Sequence, residues 1–327
     1  MEIAERLGTR RIAIIGNPNV GKSSIFNQLT GLNQKIGNYP GMTVDKMVGY
    51  FHQGEQRFEL IDLPGTYSLL PKSEDEVIAH KVLNGQGEAK PDAALVILDA
   101  CNLERSLLLG TQVMDLGIPI AFVINMKDLA EKRGLSIKTF AMYKAFGVPL
   151  VMTDARNNEG IEEVKSLFRD DKFVVGKTFH RLDSPELLEQ VQEKFGFNTP
   201  YQAFQQLVFS SFDPTIAKDK RVWLEEKAQD FNFDPEKEQT KETTARYKKI
   251  DALLQKSVLS GTNKPKAFHS KLDAIFLHPI LGYLTFLGIM LLIFQAIFAW
   301  AETPMDLIDG AFAFLSSWVT ETLPPGV

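Results

Sequence analysis

A run of the form G-x-x-x-x-G-K-S, Gly16-Asn17-Pro18-Asn19-Val20-Gly21-Lys22-Ser23, constrains this chain more than any other feature. It follows the apolar run Ile12-Ala13-Ile14-Ile15 and precedes a helix-like segment over 24–29. A strand that delivers the backbone into a glycine-rich turn, with a helix opening directly after it, is the context of a phosphate-binding loop. Gly16 and Gly21 let the main chain approach phosphate oxygens without a Cβ in the way. The N–H groups at the helix start, Ser24 included, point at the anion. Lys22 has the reach for the β- and γ-phosphates, and the Ser23 hydroxyl suits a magnesium ion.

Three further segments follow in the order that GTP chemistry requires. Asp62-Leu63-Pro64-Gly65 comes after the alternation Phe58-Glu59-Leu60-Ile61. An Asp at the end of a strand beside the phosphate loop holds magnesium through water, and the Gly65 N–H meets the γ-phosphate. By itself the same tetrapeptide is also an ordinary turn. Asn125-Met126-Lys127-Asp128 follows the nearly continuous apolar run 118–124, which reads as a buried parallel strand. Asp128 presents a charged acceptor for guanine N1 and N2, a donor pair that adenine lacks. Asn125 is read as selecting guanine with it. Met126 stands where GTPases usually carry Lys. Thr153-Asp154-Ala155-Arg156, after the run 148–152, resembles the element whose backbone N–H meets guanine O6. The segment 33–44 is rich in turn formers and has no period. Thr43 in it is the candidate for completing the magnesium shell when a γ-phosphate is present, which makes the segment an order–disorder switch.

Strands are predicted over 10–15, 46–53, 56–62, 93–99, 118–125 and 148–153, with Gly54 turning the second into the third as a hairpin. Helices are predicted over 22–31, 74–84, 103–116, 137–146 and 159–169. Such alternation gives an α/β fold with a mostly parallel sheet covered on both faces, and places every motif above at one edge. From about 178 strand runs disappear. Ser184-Pro185, Thr199-Pro200, Asp213-Pro214 and Asp234-Pro235 each set a cap before a proline at the first helical position. They predict an all-α region with helices over 185–195, 200–210, 214–231 and 235–260, the last stopped by Gly261. Its Tyr247, Ile250, Leu253, Leu254 and Val258 share a face.

Lys264, Lys266 and Lys271 then precede Pro279–Ala301, which carries no formal charge and as a helix spans about 34 Å. Tyr283 and Trp300 sit near its ends, and the lysine bias places 1–271 in the cytoplasm. After Glu302, a stripe of Met305, Ile308, Phe312, Leu315 and Val319 predicts a separate interfacial helix on the far side. The expected divisions are a nucleotide-binding domain over 1–172, a helical domain over 173–262, a linker over 263–278, a membrane helix over 279–301 and an amphipathic segment over 302–327. A net charge of −5 argues against a broad nucleic-acid surface. The single cysteine, Cys101, allows no intramolecular disulfide and is read as a packing residue. The pair Glu186 and Glu189 reads as a solvated surface.

Together these residues resemble the small GTPase domains of the bacterial ferrous iron transporters of the FeoB type. The resemblance is carried by the segments 16–23, Gly37-Asn38-Tyr39-Pro40-Gly41-Met42-Thr43-Val44 and Asp62-Leu63-Pro64-Gly65-Thr66-Tyr67-Ser68-Leu69. Asn-Met-x-Asp at 125–128, Ala245-Arg246-Tyr247-Lys248-Lys249-Ile250 and His278-Pro279-Ile280-Leu281-Gly282 add to it. It implies GTP and GDP binding with magnesium, and hydrolysis coupled to ferrous iron uptake through a membrane portion outside this chain. It implies a bacterial inner-membrane location and a helical region that slows nucleotide release. It also implies potassium stimulation through Asn19, small accessory proteins of iron uptake and a possible homo-oligomer. One feature can be read independently of the resemblance: Thr66 follows Gly65 where many regulatory GTPases carry a water-orienting Gln, so intrinsic hydrolysis is expected to be slow. A membrane-tethered regulatory GTPase with no transport role has the same motifs.

Overall fold

The computed structural model describes residues 8–32, 34–38, 45–70, 74–86, 90–210, 216–260, 276 and 278–322. They form two compact units, 1–262 and 263–327 by chain position.

The first unit is built on β1 (Arg10–Gly16). Side chains alternate along a strand, and here both sets are covered: Ile12 and Ile14 on one side, Ala13 and Ile15 on the other, are all fully buried. β1 lies between β4 (Gln56–Asp62) and β5 (Ala93–Asp99), parallel to both. β6 (Pro119–Asn125) extends the parallel set, followed by β8 (Leu150–Met152). On the other side β3 (Asp45–Gln53) pairs antiparallel with β4 around Gly54, as the hairpin reading required. With β2 (Gln34–Asn38) at one edge, the sheet order is β2-β3-β4-β1-β5-β6-β8, and the two-residue β9 (Val174–Val175) pairs antiparallel with the start of β6.

Two apolar layers sandwich this sheet. On one face α1 (Lys22–Thr30) and α6 (Ile161–Arg169) pack Phe26, Val164 and Phe168 onto Ile12, Ile14 and Phe58. The other face takes α2 (Glu74–Asn84) and α3 (Leu103–Asp115). The same layer continues into α7 (Pro185–Phe195), α8 (Pro200–Phe209), α9 (Lys218–Asp230) and α10 (Pro235–Ser257), through Leu187, Phe204, Leu224 and Ile250. The helical region therefore shares a core with the sheet. Sharing explains why α3 is buried almost all round, Thr111, Gln112 and Asp115 included. It lies between the sheet and the later helices.

Several expectations are corrected. The segment 33–44 was read as a loop, yet β2 (Gln34–Asn38) is a strand hydrogen-bonded along β3. Pairing with a neighbour supplies what the local pattern lacks. Two short elements, α4 (Lys127–Lys132) and β7 (Leu135–Ile137), were not anticipated, while α5 (Thr139–Phe146) was. Thr199 makes a full capping box with Gln202, and Asp234 accepts from the Glu236 and Lys237 N–H groups, both 3.2 Å. Ser184 makes no such bond and is itself left-handed. α9 begins at Lys218, and the Asp213-Pro214 cap lies outside the described residues, as does Gly261. α10 stops at Ser257, because β10 (Val258–Ser260) turns extended to pair antiparallel with β7.

In the second unit one continuous helix, α11 (Leu281–Thr322), contains Pro304. The expected break after 301 is absent. Charges at Glu302 and Asp306 limit an apolar run but do not terminate a helix. Its stretch Leu281–Phe298 is long and apolar enough to cross a bilayer.

Candidate nucleotide site

The phosphate loop leaves β1 at Gly16, where an added Cβ would stand 2.5 Å from the Ile97 carbonyl oxygen. Asn17 is buried, Pro18 half-buried and Asn19 exposed. Two residues are left-handed, Asn19 at φ 63° and Gly21 at φ 88°. At Gly21 a side chain would also collide with the Asn125 amide, so glycine is required twice over. Gly21 caps α1 without a side-chain bond. The first-turn amides of Lys22, Ser23 and Ser24 thus open α1 with no side chain capping them, the arrangement that favours an anion.

Asp62 ends β4 beside this cradle. The Leu63 N–H donates to Ile14 O (2.9 Å) and the Thr66 N–H to Gly16 O (3.3 Å). A Cβ on Gly65 would lie 3.0 Å from Pro18 Cα and 3.2 Å from Lys22 Nζ. Motifs more than forty positions apart in sequence therefore meet at one point. Burial pushes Asp62 up to about 6, with Lys22 opposing the shift, and burial lowers Lys22 against the pull of Asp62. Both charges are poised for partners that replace lost solvation.

Beyond Gly65 the chain is held tightly. Thr66 is buried and its hydroxyl donates to Ser68 O (2.8 Å). Gln112 of α3 accepts from the Leu69 N–H (2.8 Å) and Ser68 Oγ (3.0 Å). Gln205 of α8 donates to Leu69 O (3.1 Å). Neither glutamine was singled out by motif. A glutamine set inside an apolar helical run, as in Leu107 to Val113, is the only local hint.

The base end is organised by Asn125. Its Nδ2 donates to Val20 O (2.9 Å), and its Oδ1 accepts from Thr153 Oγ1 and the Ala155 N–H, both 3.0 Å. Asn125 thus ties the phosphate loop to the segment after β8. Thr153 and the Ala155 N–H likewise hold Asn125. Asp128 lies in the first turn of α4, where Lys132 (3.0 Å) holds its carboxyl below the usual range. Met126, at φ 66°, makes the turn that aims α4. Lys127 pairs with Glu159, and Gln28 donates to Ala155 O, closing the rim. Thr43 lies outside the described residues.

Comparison with known proteins agrees with this geometry. The family model for ferrous iron transport protein B matches residues 10–168. The "Fe(2+) transporter FeoB" of Leptospira biflexa is 34% identical over 331 residues, covering 97% of this chain and 48% of that protein. This chain thus spans about half the length of the curated relatives it matches. The cytosolic domain of L. pneumophila FeoB superposes with a TM-score of 0.65 at 30% identity, covering 76% of this chain and 99% of that one. An S. thermophilus NFeoB mutant bound to GDP gives 0.60 at 29%, covering 77% and 100%.

Proposed function

This chain belongs to the ferrous iron transport protein B family, and from that premise we propose that it binds GTP and hydrolyses it to GDP and phosphate as the nucleotide switch of a ferrous iron uptake system. One observation carries the reading: Gly16–Ser23, Asp62–Gly65 and Asn125–Asp128 converge on the carboxyl edge of one parallel sheet, clasped by the Asn125–Val20 bond. The triphosphate lies along the amides of the loop and of the first turn of α1. Lys22 offsets charge that develops between the β- and γ-phosphates. The Gly65 N–H registers the γ-phosphate, and Asp128 accepts from the base. No side chain is assigned as a general base, because positioning and electrostatics supply most of this chemistry.

The donors fit a magnesium ion. The Ser23 hydroxyl and the Asp62 carboxylate are hard oxygen ligands, and Thr43 joins them in the GTP state. Magnesium bound there neutralises phosphate charge. Asn19 offers a side-chain oxygen from an exposed left-handed position on the loop, which suits a monovalent cation such as potassium. The residues 1–172 form the nucleotide-binding part and 173–262 the helical part that restrains release. The stretch 279–301 anchors the chain in a bacterial inner membrane, with 1–271 cytoplasmic. Among the described residues no cluster of three His, Cys, Asp or Glu is arranged to hold a metal. Ferrous iron is assigned as cargo on family membership, as are accessory proteins and self-association.

The test is nucleotide binding by Asp128→Ala. Two charge-assisted hydrogen bonds are lost, so GTP affinity falls by about 100-fold or more with little change for ATP. Unchanged GTP affinity removes the assignment of the base site.

A further inference from the structure

Between the tightly bonded ends of the segment 66–70, one side chain points outward. Thr66, Leu69 and Leu70 are buried, whereas the Tyr67 ring is exposed. That ring does not stand alone. The Arg105 guanidinium lies over it, 3.7 Å from the ring centroid. Arg105 is in the first turn of α3, and its backbone carbonyl accepts from Asn17 Nδ2 of the phosphate loop at 3.5 Å. One residue of α3 thus touches both walls of the γ-phosphate corner, the loop through its main chain and the post-Gly65 segment through its side chain.

Thr66 occupies the position where other GTPases carry a water-orienting Gln, but its hydroxyl is buried and bonded to Ser68 O. Ordering of the corner must therefore come from how firmly the backbone at 65–67 is held. Downstream, Gln112 and Gln205 fix it from Ser68 onward. Upstream, the Thr66 N–H is bonded to Gly16 O. Tyr67, between these anchors, has the Arg105 stack as its side-chain anchor.

We propose that Arg105 is a positioning residue for GTP hydrolysis, acting through its stack on Tyr67 to hold the Gly65-Thr66 backbone at the γ-phosphate. Arg105 does not contact nucleotide in this role. The planar guanidinium matters as well as its charge, since a planar cation stacks on a ring where an ammonium does not. The inference rests on the GTPase reading above.

The experiment measures single-turnover GTP hydrolysis and GDP affinity for the whole chain in detergent. The variants are Tyr67→Ala, Arg105→Ala, their combination, Tyr67→Phe and Arg105→Lys. Each alanine variant is expected to lower the hydrolysis rate about 3- to 20-fold, with GDP affinity within about 2-fold of the parent. The combination is no slower than the worse single change, because one contact is removed twice. Tyr67→Phe, which keeps the ring, restores most of the rate, and Arg105→Lys does not. Equal hydrolysis by parent and alanine variants overturns the inference, as do multiplying losses in the combination or a parallel fall in GDP affinity. A parent with no GTP turnover refutes the GTPase reading and this inference together. An active parent whose variants are unchanged refutes this inference alone.

Discussion

Arg246→Met is expected to be among the most destabilising single changes outside the nucleotide site. Arg246 is completely buried and is shared by two carboxylates. Its Nη1 donates to Asp115 at 2.8 Å and its Nε to Glu242 at 2.7 Å. Both acids have side chains only 1% exposed. Asp115 also accepts from the Phe179 and His180 N–H groups. The guanidinium therefore offsets two negative charges and pins α10 to the end of α3. Removing it leaves both carboxylates in the interior, a loss of about 3–5 kcal/mol. For a unit of this size that is roughly 6–20 °C in melting temperature. The assay is urea and thermal denaturation followed by far-ultraviolet circular dichroism. Neutralising the stranded acids tests the cause: Arg246→Met with Asp115→Asn and Glu242→Gln should recover part of the loss. Arg246→Lys keeps the charge but not the two-pronged geometry, and should fall between parent and Met. A methionine variant within about 1 kcal/mol of the parent refutes the reasoning. So does a triple variant no more stable than Arg246→Met.

Two further outcomes are expected. Asn19→Ala should cut turnover in potassium by about 100-fold, the scale for losing one preorganised stabiliser of transition-state charge, and make sodium and potassium equivalent. A variant that keeps the parent's potassium rate in both salts excludes the role. His180 is held down to about 4, first by burial, then by Arg246 and Lys249, with Asp183 opposing. Its folded form disfavours the charged ring, so its stabilisation is present above about 6.5 and is lost as pH falls toward 4. With the ring half exposed this amounts to about 1–2 kcal/mol. His180→Gln should flatten that acid limb in denaturation midpoints measured from pH 7 to pH 4, and an unchanged limb counts against it.

The nucleotide site was legible because its chemistry admits few residues. Only glycine fits at 21, and the proposed reading of guanine by two bonds calls for a charged acceptor such as Asp128. What escaped was fixed by neighbours distant in sequence. Gln34-Lys35-Ile36-Gly37-Asn38 has one large apolar residue and no strand signal, and becomes β2 by pairing with β3. Glu242 and Arg246 sit one turn apart on a strongly charged helix where nothing local marks them as interior, yet the shared core buries both. The bonds by which Asn125 joins Val20, Thr153 and Ala155 were also out of reach, because their partners are 28 to 105 positions away along the chain. At the far end, the loss of apolar character after 301 suggests a helix boundary, although the helix continues to Thr322.

The three-residue ladder between β10 and β7 fastens the end of α10 to the chain that follows α4. β10 is the last described element before the stretch that leads to α11, and β7 begins three residues after α4, which carries Asp128. Loosening that ladder would free the chain next to the segment that carries Asp128, while the Gly16–Ser23 loop would stay braced by the strands on either side of β1.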